Sequence, residues 1–444
     1  MQHHLDWSDY RDQGLGDAYA DIPRQGGDFA KAVAVCIRSG VCEQLTSAGV
    51  MCPSYRLHPG EQTSPGGRVR LLKAALNHPD PDHWRHAPQL AAAMASCVGC
   101  KGCQRECENN LDMAAIRVEY LAQQVVRGRQ AWRRRLLAQF PRWLWCWPSL
   151  GRLIRWCNHS RGLARLGEWM LGIAAGVTLP QPVASRVIRQ LPQQAAADAP
   201  RVLLWIDAFT ALFEPQQAEL AQRLLMKLGY RVELLAPQPG ARGFLDSGRA
   251  AYAQGDVVSA RQQLERLLDA LQPALTAGWP IIGLEPSALL MLRDEIRQLC
   301  PEQAARLRAS TRLLEEFLAH ELQAGKLRWQ PVALAQPLLI HGHCHQKAAG
   351  AMKSLRRLLR QIPGLQSETI EAACCGMAGT HGIEAEHAAD GEAMARQVLI
   401  PAIMARPDAE LLCSGMACRH QIRRLTGREP LTLVSLLARV SGIG

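Results

Sequence analysis

The sequence predicts an α+β multidomain chain: a small helical domain organised by metal, followed by two tandem α/β units. Three observations carry this. Seven of the fifteen cysteines lie between residues 30 and 126, among segments with helical periodicity. Beyond residue 200 strand-like and helix-like segments alternate, the order of an α/β domain with a mainly parallel sheet. From about residue 331 the same order recurs. At 444 residues the chain is too long for one compact domain, and two or three are expected, each with its own core.

In chain order, residues 1–29 read as a mobile or loosely packed lead-in. Residues 30–126 form the helical domain, with Val69, Leu72 and Leu76 on one helical face, Ile116 and Tyr120 on another after an N-cap at Asp112, and Gly128 as a stop. Residues 127–200 read as an Arg/Trp-rich helical linker that ends in a Pro, Gln and Ala-rich stretch from Leu179 to Pro200.

Residues 201–330 give the first α/β unit: PRVLLWID a strand, PQQAELAQRLLMKLGY a helix closed by Gly229, RVELLA a second strand and GWPIIGLEPSA a third. Residues 331–444 give the second unit, with strands in QPLLIHGHC, SETIEAACCG and AELLCSGMAC. Loop positions Ala208, Gly240 and Ala288 of the first unit answer to Cys344, Cys375 and Cys418 of the second, so the first unit is a degenerate copy that has lost its cysteines.

The N-terminus has no apolar signal segment, and no run of about 18 apolar residues occurs. A cytoplasmic protein is expected, where fifteen cysteines are read as metal ligands rather than disulfides. The net charge of +11 is concentrated: from Tyr120 to Gly167 there are ten arginines and no Asp or Glu, interleaved with Trp132, Trp143, Trp145, Trp147 and Trp156. Such a stretch suits an anionic membrane surface on the inner face of the cell membrane, or an acidic partner. Its alternatives are a linker whose tryptophans pack on neighbouring domains and nonspecific nucleic-acid binding, although no nucleic-acid partner is expected.

SCVGCKGCQREC sets Cys97, Cys100, Cys103 and Cys107 in a CxxCxxCxxxC run, the spacing with which one tight loop reaches three corners of a 4Fe-4S cubane while the fourth cysteine serves another cluster. Zinc is the alternative, though it seldom uses three evenly spaced cysteines in so short a run. Glu108 stands where the bacterial run has proline.

Upstream lie Cys36, Cys42 and Cys52-Pro53. Crossed ligation assigns Cys52, Cys97, Cys100 and Cys103 to one 4Fe-4S cluster. Cys36, Cys42 and Cys107 then fall to a second, with Ser39 in the place of the middle cysteine. Three thiolates suit a 3Fe-4S cluster, or a 4Fe-4S cluster whose last iron takes Ser39, water or another ligand. If the second cluster is absent, these cysteines are buried thiols.

HGHCHQK, CCGMAG and CSGMACRH bring Cys344, Cys374, Cys375 and Cys418 to the ends of strands, with His341, His343 and His345 nearby. Four thiolates from three loops would hold an iron-sulfur cluster or zinc, and core thiols are the alternative. Cys413 sits in a strand and is ambiguous; Cys146, Cys157 and Cys300 have no spacing logic and read as structural. Asp207, Glu285, Asp294 and Glu295 are candidate polar residues of the first unit. Neither GxxxxGK nor GxGxxG follows a strand, and no nucleophile and base pair is evident, so flavin or nicotinamide chemistry would need a partner.

These segments resemble the iron-sulfur portion of FAD-linked 2-hydroxy-acid dehydrogenases, the D-lactate dehydrogenase and glycolate oxidase iron-sulfur subunit group, over nearly the whole chain. GVMCPSYR and SPGGRVRLLKAAL look like the family's CPSY and (S/T)xRGR segments, with Gly66 in place of the usual arginine. ASCVGCKGC and DMAAIRVEYLA look like its second ferredoxin motif and the helix after it. The spacing of Cys36 and Cys42 is similar to a long, fused branch that also lacks the middle cysteine.

The α/β pair resembles the tandem cysteine-rich CCG domains shared with heterodisulfide reductase subunits. Pro239 and Gly240 occupy the two cysteine positions of the first copy, and LEPSA ends in Ala288 where LEPSC is usual. The resemblance implies an electron-transfer subunit rather than a complete enzyme. FAD would sit only on a partner, a 2-hydroxy-acid dehydrogenase subunit, and quinone or another acceptor would receive the electrons. A thiol or disulfide reductase subunit and a noncatalytic cluster-binding assembly or regulatory protein are the competing readings.

Overall fold

Helices make up the N-terminal third, and three of them open on proline: Pro53–Leu57, Pro65–Leu76 and Pro88–Ala95. Proline there sets the helical φ and gives up an N–H that has no partner in any case. Ser64 caps the second by accepting from Gly67 N at 2.8 Å, and Asp112 caps Met113–Gln123 by accepting from Ala115 N at 3.0 Å. The computed structural model describes residues 3–10, 21–45, 49–124, 128–183, 188–193, 196, 198–240 and 243–443.

Two small parallel sheets follow. The first contains β1 (Arg201–Trp205), β2 (Arg231–Leu235), β3 (Ile281–Gly283) and β4 (Thr311–Leu313) in the order β2-β1-β3-β4. The second contains β5 (Leu338–His341), β6 (Ser367–Thr369) and β7 (Glu410–Cys413) in the order β6-β5-β7. In both sheets the first strand is central and pairs with the next two in parallel. The turns after them also correspond. Asp207 and His343 cap the helices that leave β1 and β5, and Ala288 and Cys418 each lie three residues past the caps Glu285 and Gly415 that follow β3 and β7.

Strand alternation assigns the cores. In β1, Leu203 and Trp205 face a core shared with the N-terminal helices, whereas Val202 and Leu204 face a central core shared with the second sheet. In β7, Leu412 joins that central core, and Leu411 and Cys413 face a third. The expectation of one separate core per domain therefore does not hold. Both sheets are covered on two faces, as parallel sheets generally are, and the covering elements belong to neighbouring parts of the chain.

Three local expectations change. The lead-in is packed where it is described: Leu5 and Trp7 are buried, and the carboxylate of Glu119 accepts from Leu5 N at 2.9 Å and from the Trp7 indole at 3.3 Å. Residues 11–20 of that segment lie outside the described residues. Gly128 opens the helix Gly128–Cys146 instead of closing the one before it, which ends at Gln123. The fourth strand, only Thr311–Leu313, is too short to show a period.

Candidate metal centres

Cys52, Cys97, Cys100 and Cys103 are all buried and line one cavity together with Arg68, Gly99 and Lys101. Cys52 is the N-cap of the helix Pro53–Leu57, and Cys103 lies in the first turn of Gly102–Glu106, where helix ends favour negative sulfur. The two segments touch closely because residue 102 is glycine: a Cβ there would lie 2.0 Å from Val50 O. Glu106 fixes the same strand of chain, accepting from Val50 N at 2.5 Å and Met51 N at 2.8 Å.

The donor set fits a metal-thiolate cluster. Burial pushes the Cys100 and Cys103 thiols well up, so as free thiols they would be neutral, and a bound cation reverses that preference. Arg68 is fully buried and, among the described residues, bonds no carboxylate. Its guanidinium donates to Cys52 Sγ at 3.3 Å, to Ser54 Oγ and Ser96 Oγ at 2.9 Å each, and to Ala93 O at 2.8 Å. A buried cation calls for a compensating anion, and the four sulfurs are where it can reside.

A second cavity is lined by Cys36, Ser39, Cys42 and Cys107, with Gly66 and Arg70 opposite. Cys103 borders both cavities, so they adjoin. Burial raises the Cys42 thiol, and Gly66 N donates to its sulfur at 3.4 Å. The missing side chain at Gly66 leaves this wall open, since a Cβ there would already lie 3.3 Å from Cys42 Sγ. Ser39 is exposed, so this cavity reaches the surface, whereas the four cysteines of the first are all buried.

In the second α/β unit the cysteines meet. Cys375 Sγ lies 3.2 Å from Cys418 Sγ, and donor atoms of His341, Cys375 and Cys418 all fall within 4.8 Å of one another. The neighbouring thiols of Cys344 and Cys375 hold the Cys374 thiol well below its ordinary value, and Gly376 N donates to its sulfur at 3.3 Å. Gly376 has φ 80°, and a Cβ on it would sit 1.8 Å from Gly391 O, so the turn needs glycine.

The sequence alone sets His341 merely nearby and leaves Cys413 ambiguous. His341 belongs to the group, its Nδ1 buried with no hydrogen-bond partner among the described residues, and Cys413 is buried at the strand end beside it, its sulfur 3.8 Å from Gly415 O. The available signal was strand position, since both occupy the last residue of a strand beside a cysteine loop.

Cys146 and Cys157 are half-buried and Cys300 is buried, outside these groups. In the first unit, Ala288 is buried and Gly240 exposed, and neither offers a ligand. The polar residues there support the other sites instead. Asp294 and Glu295 pair with buried Lys101 of the Cys97–Cys103 loop, alongside Asp112 at 3.2 Å. Glu285 accepts from Met416 N at 2.9 Å, holding the helix that carries Cys418. Lys101 has φ 60°, uncommon for a residue with a side chain, and this triple pairing holds it there.

Two adjoining thiol-lined cavities in one helical domain are the arrangement that a ferredoxin-type domain uses to hold two iron-sulfur clusters, a general electron-transfer device. Residues 35–112 match the family described as a 4Fe-4S dicluster domain. The chain is similar to D-2-hydroxyglutarate dehydrogenase of Pantoea ananatis (strain AJ13355), with 24% identity over 463 residues, covering 92% of this chain and 44% of the relative. The Escherichia coli (strain K12) protein of the same name is 24% identical over 444 residues, covering 88% and 42%. A subunit of the anaerobic glycerol-3-phosphate dehydrogenase of Escherichia coli (strain K12) is 26% identical over 256 residues, covering 56% and 62%. The chain spans less than half the length of the D-2-hydroxyglutarate dehydrogenases it matches.

Proposed function

We propose that this chain conducts electrons from a FAD-containing partner that oxidises a D-2-hydroxy acid to a quinone acceptor. Cys52, Cys97, Cys100 and Cys103 hold one 4Fe-4S cluster, and Cys36, Cys42 and Cys107, with Ser39 or water, hold the second. Cys344, Cys374, Cys375 and Cys418, joined by His341, hold a further metal. Iron there would extend the path, and zinc would end it at the helical domain.

The observation that supports a conduit most directly is succession. Cys103 borders both cavities of the helical domain, and His345, next to Cys344, lies 3.0 Å from the carbonyl oxygen of Gly99, next to Cys100. Bound clusters supply one-electron chemistry at potentials set by charge, hydrogen bonds to sulfur and exposure. The chain's own residues provide those settings. Arg68 places a buried positive charge and an N–H at Cys52, Lys101 fixes the loop between Cys100 and Cys103, and the exposed cavity at Ser39 gives a partner access to one end.

The test is capture and reduction. Full-length chain purified without oxygen from its own host should bring down a flavoprotein. Adding D-lactate, glycolate, D-2-hydroxyglutarate or glycerol 3-phosphate in turn should bleach the visible absorption of the chain's clusters with one of them. If no flavoprotein accompanies the chain and none of these substrates bleaches it, the proposal fails.

A further inference from the structure

Residues 149–171 form a hairpin of two helices, Ser149–His159 and Arg161–Leu171. The first buries only Gly151 and Ile154, and the second buries no residue. At 100° per residue, Leu163, Leu166 and Met170 fall on one side of the second helix with Trp169 at its edge, and Arg161, Arg165 and Glu168 fall on the other. Leu153 and Trp156 give the first helix a matching exposed apolar strip. Trp156 is 65% and Trp169 70% exposed, and Leu166 and Met170 are each 48% exposed. Amphipathic helices in a globular chain ordinarily bury this side, and nothing in the described residues covers it.

The hairpin is held firmly at its base. Asn158 exchanges two hydrogen bonds with the backbone of Leu179, at 2.8 and 2.9 Å. Ala174 N donates to Ile383 O at 2.9 Å, and Ala385 N to Gly172 O at 2.8 Å. Residues 383–385 lie eight to ten residues past Cys375, so the hairpin base and that sulfur group are joined through residues 376–382.

Charge identifies what covers the apolar side. Arg152 and Arg165 each stand one turn before an exposed tryptophan, Trp156 and Trp169, at the margin of the apolar side, with Arg155 and Arg161 farther round on the polar side; Glu168 is the one carboxylate of the hairpin, and the preceding residues back to Tyr120 contain none. A surface rich in tryptophan and leucine, edged by arginines whose stems can lie along it, matches an anionic lipid interface. Indoles settle at the headgroup level, aliphatic side chains reach just below, and guanidinium groups meet lipid phosphates. No helix of the described residues is long and apolar enough to cross a membrane, so the contact is with one leaflet. We propose that the hairpin Ser149–Leu171 docks the protein in the plane of an anionic bilayer surface, with the Cys374–Cys375 loop held beside that contact. This inference stands on the exposed hairpin and not on which substrate or acceptor the protein uses.

Flotation of full-length chain with vesicles tests it, using phosphatidylcholine alone and phosphatidylcholine mixed with phosphatidylglycerol. Binding is expected only with the anionic lipid, weakening as salt rises. Arg152→Gln with Arg155→Gln should lower partitioning on the order of 25-fold, taking each surface arginine as roughly fivefold. Trp156→Phe with Trp169→Phe should fold normally and lose most of the quenching of tryptophan fluorescence by brominated lipid, which locates the contact at this hairpin. No flotation at low salt would overturn the proposal, as would equal binding to phosphatidylcholine alone. A lipid-free dimer that Leu166→Glu dissociates would overturn it in favour of a second copy, and quenching unchanged in the tryptophan double variant would place the contact elsewhere.

Discussion

His345 Nε2 lies 3.0 Å from the carbonyl oxygen of Gly99, inside the turn between Cys97 and Cys100. Arg249 approaches the other ring nitrogen at 3.2 Å and can only donate, so Nδ1 accepts and Nε2–H donates to Gly99. This is the neutral ring, and burial with Arg249 beside it holds the imidazole well below its usual range. A residue next to Cys344 thereby braces the loop that presents Cys97, Cys100 and Cys103. His345→Ala should remove about 1 kcal/mol of loop stability. It is expected to speed iron loss to a chelator several-fold while the far-ultraviolet circular dichroism stays unchanged.

Lys101 gives the larger effect at the same interface. Lys101→Met leaves buried Asp112 and Glu295 without their shared cation, and breaking such a buried group costs on the order of 3–5 kcal/mol. The exposed pair Arg439–Glu410 serves as the contrast, since Arg439→Ala should cost less than about 1 kcal/mol. Denaturant unfolding of the two variants measures the difference.

Arg68 should set the potential of the inner cluster. Reduction adds negative charge beside the guanidinium, so removing that charge disfavours the reduced form and lowers the potential. Arg68→Gln should shift it down by up to about 130 mV. That figure takes a charge-assisted hydrogen bond as about 1.5–3 kcal/mol and 59 mV per tenfold change for one electron. Arg68→Lys should recover part of the shift in a redox titration followed by EPR.

Burial, and then Glu285 nearby, pushes the Asp207 carboxyl up to about 7, and burial pushes Asp246 up to about 6. Unfolded, both titrate near 4. Between about pH 4 and pH 7 the folded state therefore holds more protons than the unfolded one, and stability falls as pH rises through that window. Asp207→Asn keeps an oxygen to cap Phe209 N and Thr210 N but cannot ionise. The variant should be more stable than the parent at about pH 8 and show a flatter dependence, the parent's slope from this group reaching at most about 1.4 kcal/mol per pH unit. Urea unfolding across that range measures it.

Legibility in the sequence followed the range of the interaction. Asp112 as a cap and Gly229 as a stop were readable because each acts within a few residues. The strands of the two sheets were readable from apolar runs bounded by turns, with Thr311–Leu313 missed for its length. The ferredoxin cysteines announced themselves by spacing. Arg68 did not, because its partners Cys52, Ser54 and Ser96 come from two segments on either side of its own helix. The roles of Lys101, Asp294 and Glu295 depend on sequence separations of more than 190 residues, as the bond between Lys101 and Asp294 shows. The packing of Leu5 and Trp7 on Glu119 was hidden likewise, since polar neighbours made that segment resemble a loose end.

Iron, zinc and acid-labile sulfide counts on anaerobically purified full-length chain, with EPR of the oxidised and reduced forms, test the central claim most directly. An electron conduit built on the helical domain predicts about seven or eight irons in that domain. The reduced spectrum should show two interacting clusters, and the inner signal should be lost in Cys100→Ser. Stoichiometric zinc with no labile sulfide and no EPR signal in either state would contradict it.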